Sequence, residues 1–239
     1  YVLLVGDTEK IGHFTGDENS KSNSVHTVPV PTDLPYSCMD GEDDWFPDVA
    51  LGRFPVDTTE QLAAVLGKTE YYDNGVFADP GYLRRAVFMA SEDQATLTEA
   101  THNSVIDNYM TPNGIDSLRL YCDTDSAVPD QVEAAFNEGR FWGVFAGHGS
   151  DLYWDDACGP SPDILFNQTN VGNLTNENMY SMVMSFACHA GDYTVPECFT
   201  ETWILQPDKA AVGVFGASEL TFFYEDDVLE RRWFESIFD

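Results

Sequence analysis

Apolar runs of buried-strand length recur along the chain at Val2 to Val5, Ala86 to Ala90, Phe141 to Ala146, Ser181 to Ala187 and Ala211 to Phe215, and this recurrence limits the fold more than any other feature. A membrane helix needs roughly 20 apolar residues, so none of these runs spans a bilayer. Strand-like segments also occupy Asp48 to Phe54 and Leu118 to Tyr121. Between the strands the apolar spacing turns helical: Leu62, Val65, Leu66 and Thr69 follow a Thr58 or Thr59 start, with an Asn74-Gly75 turn beyond them. A helix from about Thr98 to Tyr109 turns Ala100, Val105, Ile106 and Tyr109 inward, and Pro129 and Gly139 punctuate another that carries Val132, Ala135 and Phe136. Further helices are expected at about Cys198 to Leu205 and Val228 to Phe238. Strands alternating with helices imply βαβ units, hence an α/β fold with a mostly parallel sheet covered by helices.

Composition narrows the function. At 239 residues one α/β domain over 1–239 is the expectation. A 43% hydrophobic, 13% aromatic chain has enough apolar surface for a core despite its net charge of -30. That charge repels phosphate backbones and anionic lipid heads, so no nucleic acid partner is expected. The polar stretch from Thr8 to Ser24 reads as a surface loop. Five cysteines, at 38, 122, 158, 188 and 198, lack the close paired spacing of structural zinc sites. An odd count leaves one thiol as a candidate nucleophile after at most two bridges.

In parallel sheets the working groups gather at the carboxyl ends of strands. Here three endings stand out: Ser91-Glu92-Asp93 after Ala90, Gly147-His148-Gly149-Ser150 after Ala146, and Cys188-His189-Ala190-Gly191-Asp192 after Ala187. A thiol near its usual pKa of about 8.5 is little ionised at neutral pH, so a nearby imidazole is needed to take its proton. His148 suits that role. Its flanking glycines clear space for a substrate carbonyl, and the amides of Gly149 and Cys188 are candidate oxyanion donors.

These segments, together with Tyr1-Val2-Leu3-Leu4-Val5-Gly6-Asp7 and Pro47-Asp48-Val49-Ala50-Leu51-Gly52-Arg53-Phe54-Pro55, resemble the gingipain family of cysteine endopeptidases in order and spacing across nearly the whole chain. The resemblance implies a three-layer αβα sandwich of the caspase-hemoglobinase type. It also implies a Cys188 nucleophile, a His148 base and acid, and a protein or peptide substrate. Asp93, with Glu92 as second choice, matches the carboxylate that orients the histidine, whereas Asp48 precedes its strand and belongs at the wrong edge. Phe186 and the pair Phe223-Tyr224 match positions that wall the primary specificity pocket. The acidic residue that reads arginine falls near Thr98 or Glu99, and Glu225, Asp226 and Asp227 are further carboxylates near the pocket. A bulky Phe186 is expected to narrow the pocket, and His189 is read as a packed imidazole.

The chemistry needs no cofactor, and structural calcium is implied by the family. The cluster Asp40-Gly41-Glu42-Asp43-Asp44 is its first candidate, ahead of Asp123 with Asp125 and Asp155 with Asp156. Asn167 and Asn173 head glycosylation sequons by pattern only. Relatives carry additional segments before the first strand and after the last helix, so the chain reads as a catalytic core truncated at both ends. A secreted or cell-surface bacterial protein is expected. Two rival functions stand beside the peptidase: a sortase-like transpeptidase of a type IX secretion system, and a non-catalytic, calcium-loaded adhesion or structural module.

Overall fold

Strands buried on both faces carry near-continuous apolar sequence, and the central strands here owe their apolar runs to that double burial. A computed structural model describes residues 1–16, 30–41, 44–125, 129–155 and 164–238. Its strands are β1 (Val2–Val5), β2 (Phe14–Thr15), β3 (Pro31–Thr32), β4 (Leu51–Phe54), β5 (Arg85–Ala90), β6 (Asp116–Tyr121), β7 (Trp142–Ala146), β8 (His148–Gly149), β9 (Tyr153–Asp155), β10 (Ile164–Asn167), β11 (Ser181–Phe186) and β12 (Ala211–Gly216). Its helices are α1 (Thr59–Asn74), α2 (Ala95–Val105), α3 (Cys122–Asp125), α4 (Pro129–Asn137), α5 (Gln168–Asn173), α6 (Phe199–Leu205) and α7 (Phe223–Phe238).

Five strands form a parallel sheet in the order β12-β11-β7-β5-β6. The chain runs outward from β5 to β6 and then returns to β7 on the other side of β5. That reversal leaves a crevice at the carboxyl ends of β5 and β7, the usual ligand position in such sheets. Successive side chains serve opposite cores. Val87, Met89, Phe145 and Val183 pack with Phe136 of α4, Val171 of α5 and Trp203 of α6. Phe88, Val144, Met184 and Phe186 pack on the other face with Val105 of α2 and Phe234 of α7. The result is the expected three-layer αβα sandwich.

Local chemistry sets the helix ends. Thr58 and Gln61 form a reciprocal capping box at the start of α1, and Gly75 closes that helix at φ 65. The buried Lys68 of α1 donates to the carbonyls of Ile204 (2.8 Å) and Lys209 (3.2 Å), so its ammonium ties α1 to the end of α6. Glu201 sits in the first turn of α6, 4% exposed, and accepts the Cys198 N–H at 2.7 Å. Burial pushes its carboxyl up to about 7. A carboxyl raised on folding contributes stability that is full below its unfolded value and lost as pH rises through the folded one. Glu201→Gln is therefore expected to flatten the fall in Tm between about pH 5 and 8 and to gain roughly 3 kcal/mol over the wild type at the upper end. Parallel thermal melts across that range check it, and identical slopes would contradict it.

Several sequence expectations change. The two-stranded β1-β4 pair is separate from the five-stranded sheet, and a small antiparallel sheet, β10-β9-β8, was not anticipated. Strands of two to four residues leave too few positions for a pattern to show. Helix α2 starts at Ala95 and continues through a π-helical turn at Ile106–Met110. Helix α7 begins at Phe223 instead of Val228, which puts Phe223, Tyr224, Glu225 and Asp226 in its first turn. Cys122 is disulfide-bonded, whereas Cys38, Cys188 and Cys198 carry free thiols, so pairing alone does not single out Cys188. Glu42, Asp43, Asp156, Cys158 and residues 17–24 of the surface loop lie outside the described residues. No helix among the described residues is long and apolar enough to cross a membrane.

Candidate active site

Asp93, His148 and Cys188 follow β5, β7 and β11, three adjacent strands of the sheet, so parallel pairing brings all three to one edge. The backbone holds these ends together: Ser91 N–H donates to Ala146 (3.1 Å) and Gly147 N–H to Phe186 (3.2 Å). His148 itself lies on β8, where it pairs with Asp155. The glycines around it serve a purpose beyond clearing space for substrate. A Cβ at Gly147 would stand 2.7 Å from Ser91 Cβ, and one at Gly149 would stand 2.9 Å from Ala187 Cβ and 3.0 Å from the Cys188 carbonyl oxygen. Only glycine lets the histidine segment lie against the ends of its neighbouring strands.

His148 Nε2 lies 2.9 Å from Asp93 Oδ2, with the two side chains 45% and 53% exposed. A carboxylate there fixes the proton on Nε2 and leaves Nδ1 to exchange a proton with substrate or thiol. The ring also packs edge-on against Phe223, centroids 5.4 Å apart. No hydrogen bond among the described residues joins Cys188 Sγ to His148. The sulfur instead receives the Thr221 N–H at 3.4 Å, and such distances commonly tighten only when substrate is bound. The Cys188 amide donates to no acceptor among the described residues, which leaves it available to an oxyanion. Next to it, His189 takes φ 56, an unusual backbone for a non-glycine residue, while its N–H donates to Glu219 and its ring lies 3.4 Å from the Glu219 carboxylate.

His148, Cys188, Gly147, Gln94, Thr221, Phe222, Phe223, Tyr224 and Asp226 line one cleft of about 430 Å³. Phe223 and Asp226 also line a much smaller cavity beneath it, with Phe186, Thr98, Asp227 and Glu230. Phe186 is 2% exposed and belongs to the core below the cleft. Tyr224 is 72% exposed and stands at the rim. Glu99 accepts hydrogen bonds from Thr124, and Asp227 is bonded to Thr101 and Arg231. Asp226 is thus the carboxylate that the cleft shares with the thiol and imidazole. Burial pushes it up to about 6, with Glu225 and Glu230 adding repulsion and a Thr221 side-chain hydrogen bond opposing the rise. Its place in the first turn of α7 was hidden in the sequence because that helix was expected to begin later.

Away from the cleft, carboxylate oxygens of Asp40, Asp44 and Asp48 lie within 4.8 Å of one another. The Asp48 carboxylate also accepts the Met39 N–H. Asn167 caps α5 through its side chain, and Asp125 accepts the Tyr121 N–H.

If His148 carries the proton transfer, Asp93→Asn is expected to lower kcat roughly 10- to 100-fold with little change in KM, since the half-exposed carboxylate meets the ring and does not line the cleft. Steady-state kinetics separates the two parameters, and a change confined to KM would contradict the assignment.

A family model described as peptidase family C25 matches residues 1–239. Gingipain R2 of Porphyromonas gingivalis strain W83 is 29% identical over 208 residues, covering 84% of this chain and 25% of that protein. Gingipain R1 of the same species is 28% identical over 208 residues, with 84% and 19% covered. The chain spans a quarter or less of the length of these curated relatives. The crystal structure of the Arg-specific cysteine proteinase gingipain R shares the fold at TM-score 0.80 and 23% identity, over 99% of this chain and 53% of that one. The complex of its pro- and mature domains gives TM-score 0.80 at 22% identity, over 98% and 53%.

Proposed function

Because the chain belongs to peptidase family C25, we propose that it works as a cysteine endopeptidase through a Cys188-His148 dyad oriented by Asp93. The observation that carries this reading is the shared cleft: thiol and imidazole line one cavity, and the imidazole already holds a carboxylate on Nε2. His148 Nδ1 takes the thiol proton, and the Cys188 sulfur attacks the scissile carbonyl. The amides of Gly149 and Cys188 hold the oxyanion, His148 returns the proton to the leaving amine, and water then cleaves the thioester.

Asp226 supports a cationic P1 side chain, since a half-buried carboxylate beside the aromatic wall of Phe222, Phe223 and Tyr224 is best neutralised by a lysine or arginine head. Phe186 and Phe223 close the space below, so such a side chain is read as lying within the upper cleft. A site of action outside the cell is supported by the disulfide at Cys122, a bond that persists in oxidising compartments. Structural calcium is supported by Asp40, Asp44 and Asp48, whose oxygens are close enough to share one hard cation.

The test is product analysis by mass spectrometry on peptides with a single internal lysine or arginine, with and without an added amine nucleophile. Free carboxyl termini in both conditions are expected. Ligated products would point to transfer, and no Cys188-dependent product at all would point to a non-catalytic module.

A further inference from the structure

Beneath the cleft, α2 and α7 meet in a buried polar contact that the proposed chemistry does not use. His102 of α2 is 0% exposed and Glu230 of α7 is 1% exposed. His102 Nδ1 lies 2.8 Å from Glu230 Oε1, and Nε2 lies 3.0 Å from the Met89 carbonyl oxygen near the end of β5. A carbonyl oxygen only accepts, so Nε2 carries a hydrogen. Bare lone pairs do not face each other at 2.8 Å out of reach of water, so a second hydrogen lies between Nδ1 and the carboxyl group. Phe88 and Tyr121 confine the imidazole with ring centroids 5.2 and 5.9 Å away. One side chain thus joins three elements.

Those elements carry the site. Strand β5 leads from Met89 to Asp93. On α7, Phe223, Asp226 and Glu230 follow one another at helical spacing and share a face. All three line the small cavity below the cleft, together with Thr98 and Thr101 of α2. Phe223 also packs on His148. Apolar residues of this seam, such as Val105 and Phe234, let one helix slide on the other, whereas hydrogen bonds of fixed length do not. A buried pair adds little net stability, and its better-attested use is to fix how its elements align.

We propose that His102 and Glu230 form a positioning pair that sets α7 against β5 and α2, and with it the place of Asp226 in the cleft. Neither residue lines the cleft itself; they act through Asp226 and Phe223. A second link along the seam joins Thr101 to Asp227, which also holds Arg231, so the pair is not all that ties the two helices. The proposal rests on Asp226 as the recognition group of the peptidase reading.

The test compares Glu230→Gln with the double variant His102→Leu/Glu230→Leu. Glutamine donates an amide N–H to Nδ1 and keeps the link, whereas two leucines replace it with apolar contact, a change that often leaves stability equal or higher. For peptides with lysine or arginine at P1, the double variant is expected to raise KM about tenfold or more with kcat within about threefold of the wild type, and to change apolar P1 peptides less than about threefold. Glu230→Gln should stay within about twofold of the wild type throughout. A purely structural pair would move Tm and not this split. A folded double variant that keeps the wild-type preference for cationic P1 residues therefore overturns the proposal, as does an equal loss in Glu230→Gln. Thermal melts check folding, and His102→Gln, which keeps one of the two contacts, takes the place of a double variant that does not fold. Benzamidine titration reads the same pocket without turnover, and its affinity should fall about tenfold in the double variant and hold in Glu230→Gln. If the wild type cleaves no peptide, the peptidase reading fails and this titration decides alone: equal affinity in wild type and double variant, or no binding to the wild type, overturns the role of the pair.

Discussion

Replacing Cys188 with alanine is expected to lower kcat/KM for a peptide substrate by about 10^5-fold or more, and His148→Ala is expected to do nearly as much. The two losses should not add in the double variant, because thiol and imidazole act as one unit and either alone leaves the other without a task. Cys188 is partly exposed at a strand end, so alanine there should leave the unfolding free energy within about 1 kcal/mol of the wild type. Hydrolysis rates beside thermal melts separate chemistry from folding. A Cys188→Ala protein that keeps substantial activity would contradict the mechanism, whatever its stability.

Asp226→Asn has the second largest expected effect. An asparagine fills the same space but removes the charge that meets a lysine or arginine head in a partly desolvated cleft. Losing one partner of such a pair costs about 2–5 kcal/mol, hence roughly 30- to 5,000-fold in kcat/KM for cationic P1 peptides. Peptides with apolar P1 residues should change little. Since the carboxyl sits at about 6, cationic P1 peptides should also lose kcat/KM as pH falls through 6, and the variant should lack that limb. Competing P1 libraries at pH 5 and 7.5 measure both effects. Equal losses for cationic and apolar peptides would assign Asp226 a structural role in α7.

Much of this site was legible in the chain because the chemistry lies at the ends of long apolar strands. Phe88, Val144 and Met184 announce β5, β7 and β11, and whatever follows each strand must meet its neighbours once they pair in parallel. Resemblance favours Asp93 over Glu92, and it is Asp93 that lies in hydrogen-bond contact with His148. What stayed hidden depends on turns. Thr221 carries no motif, and its approach to Cys188 comes from a loop-to-helix junction whose start the apolar spacing of Val228 to Phe238 misplaced. Asp48 precedes its strand and carries no motif, yet its carboxylate lies beside those of Asp40 and Asp44. Gly149 marks room for substrate in the sequence, whereas in the fold the atoms nearest a Cβ there belong to Ala187 and Cys188.

The most direct measurement of the central claim is the relative rate at which iodoacetamide labels Cys38, Cys188 and Cys198 near pH 7, resolved by peptide mass spectrometry in the wild type and in His148→Ala. Burial pushes the Cys198 thiol up to about 12, and Cys38 is raised as well by its surroundings and nearby aspartates, so neither has a reason to react quickly. The dyad predicts that Cys188 is labelled at least about 100-fold faster than either, and that His148→Ala removes most of that advantage. Cys188 reacting no faster than Cys38, or keeping its full rate without His148, would contradict it.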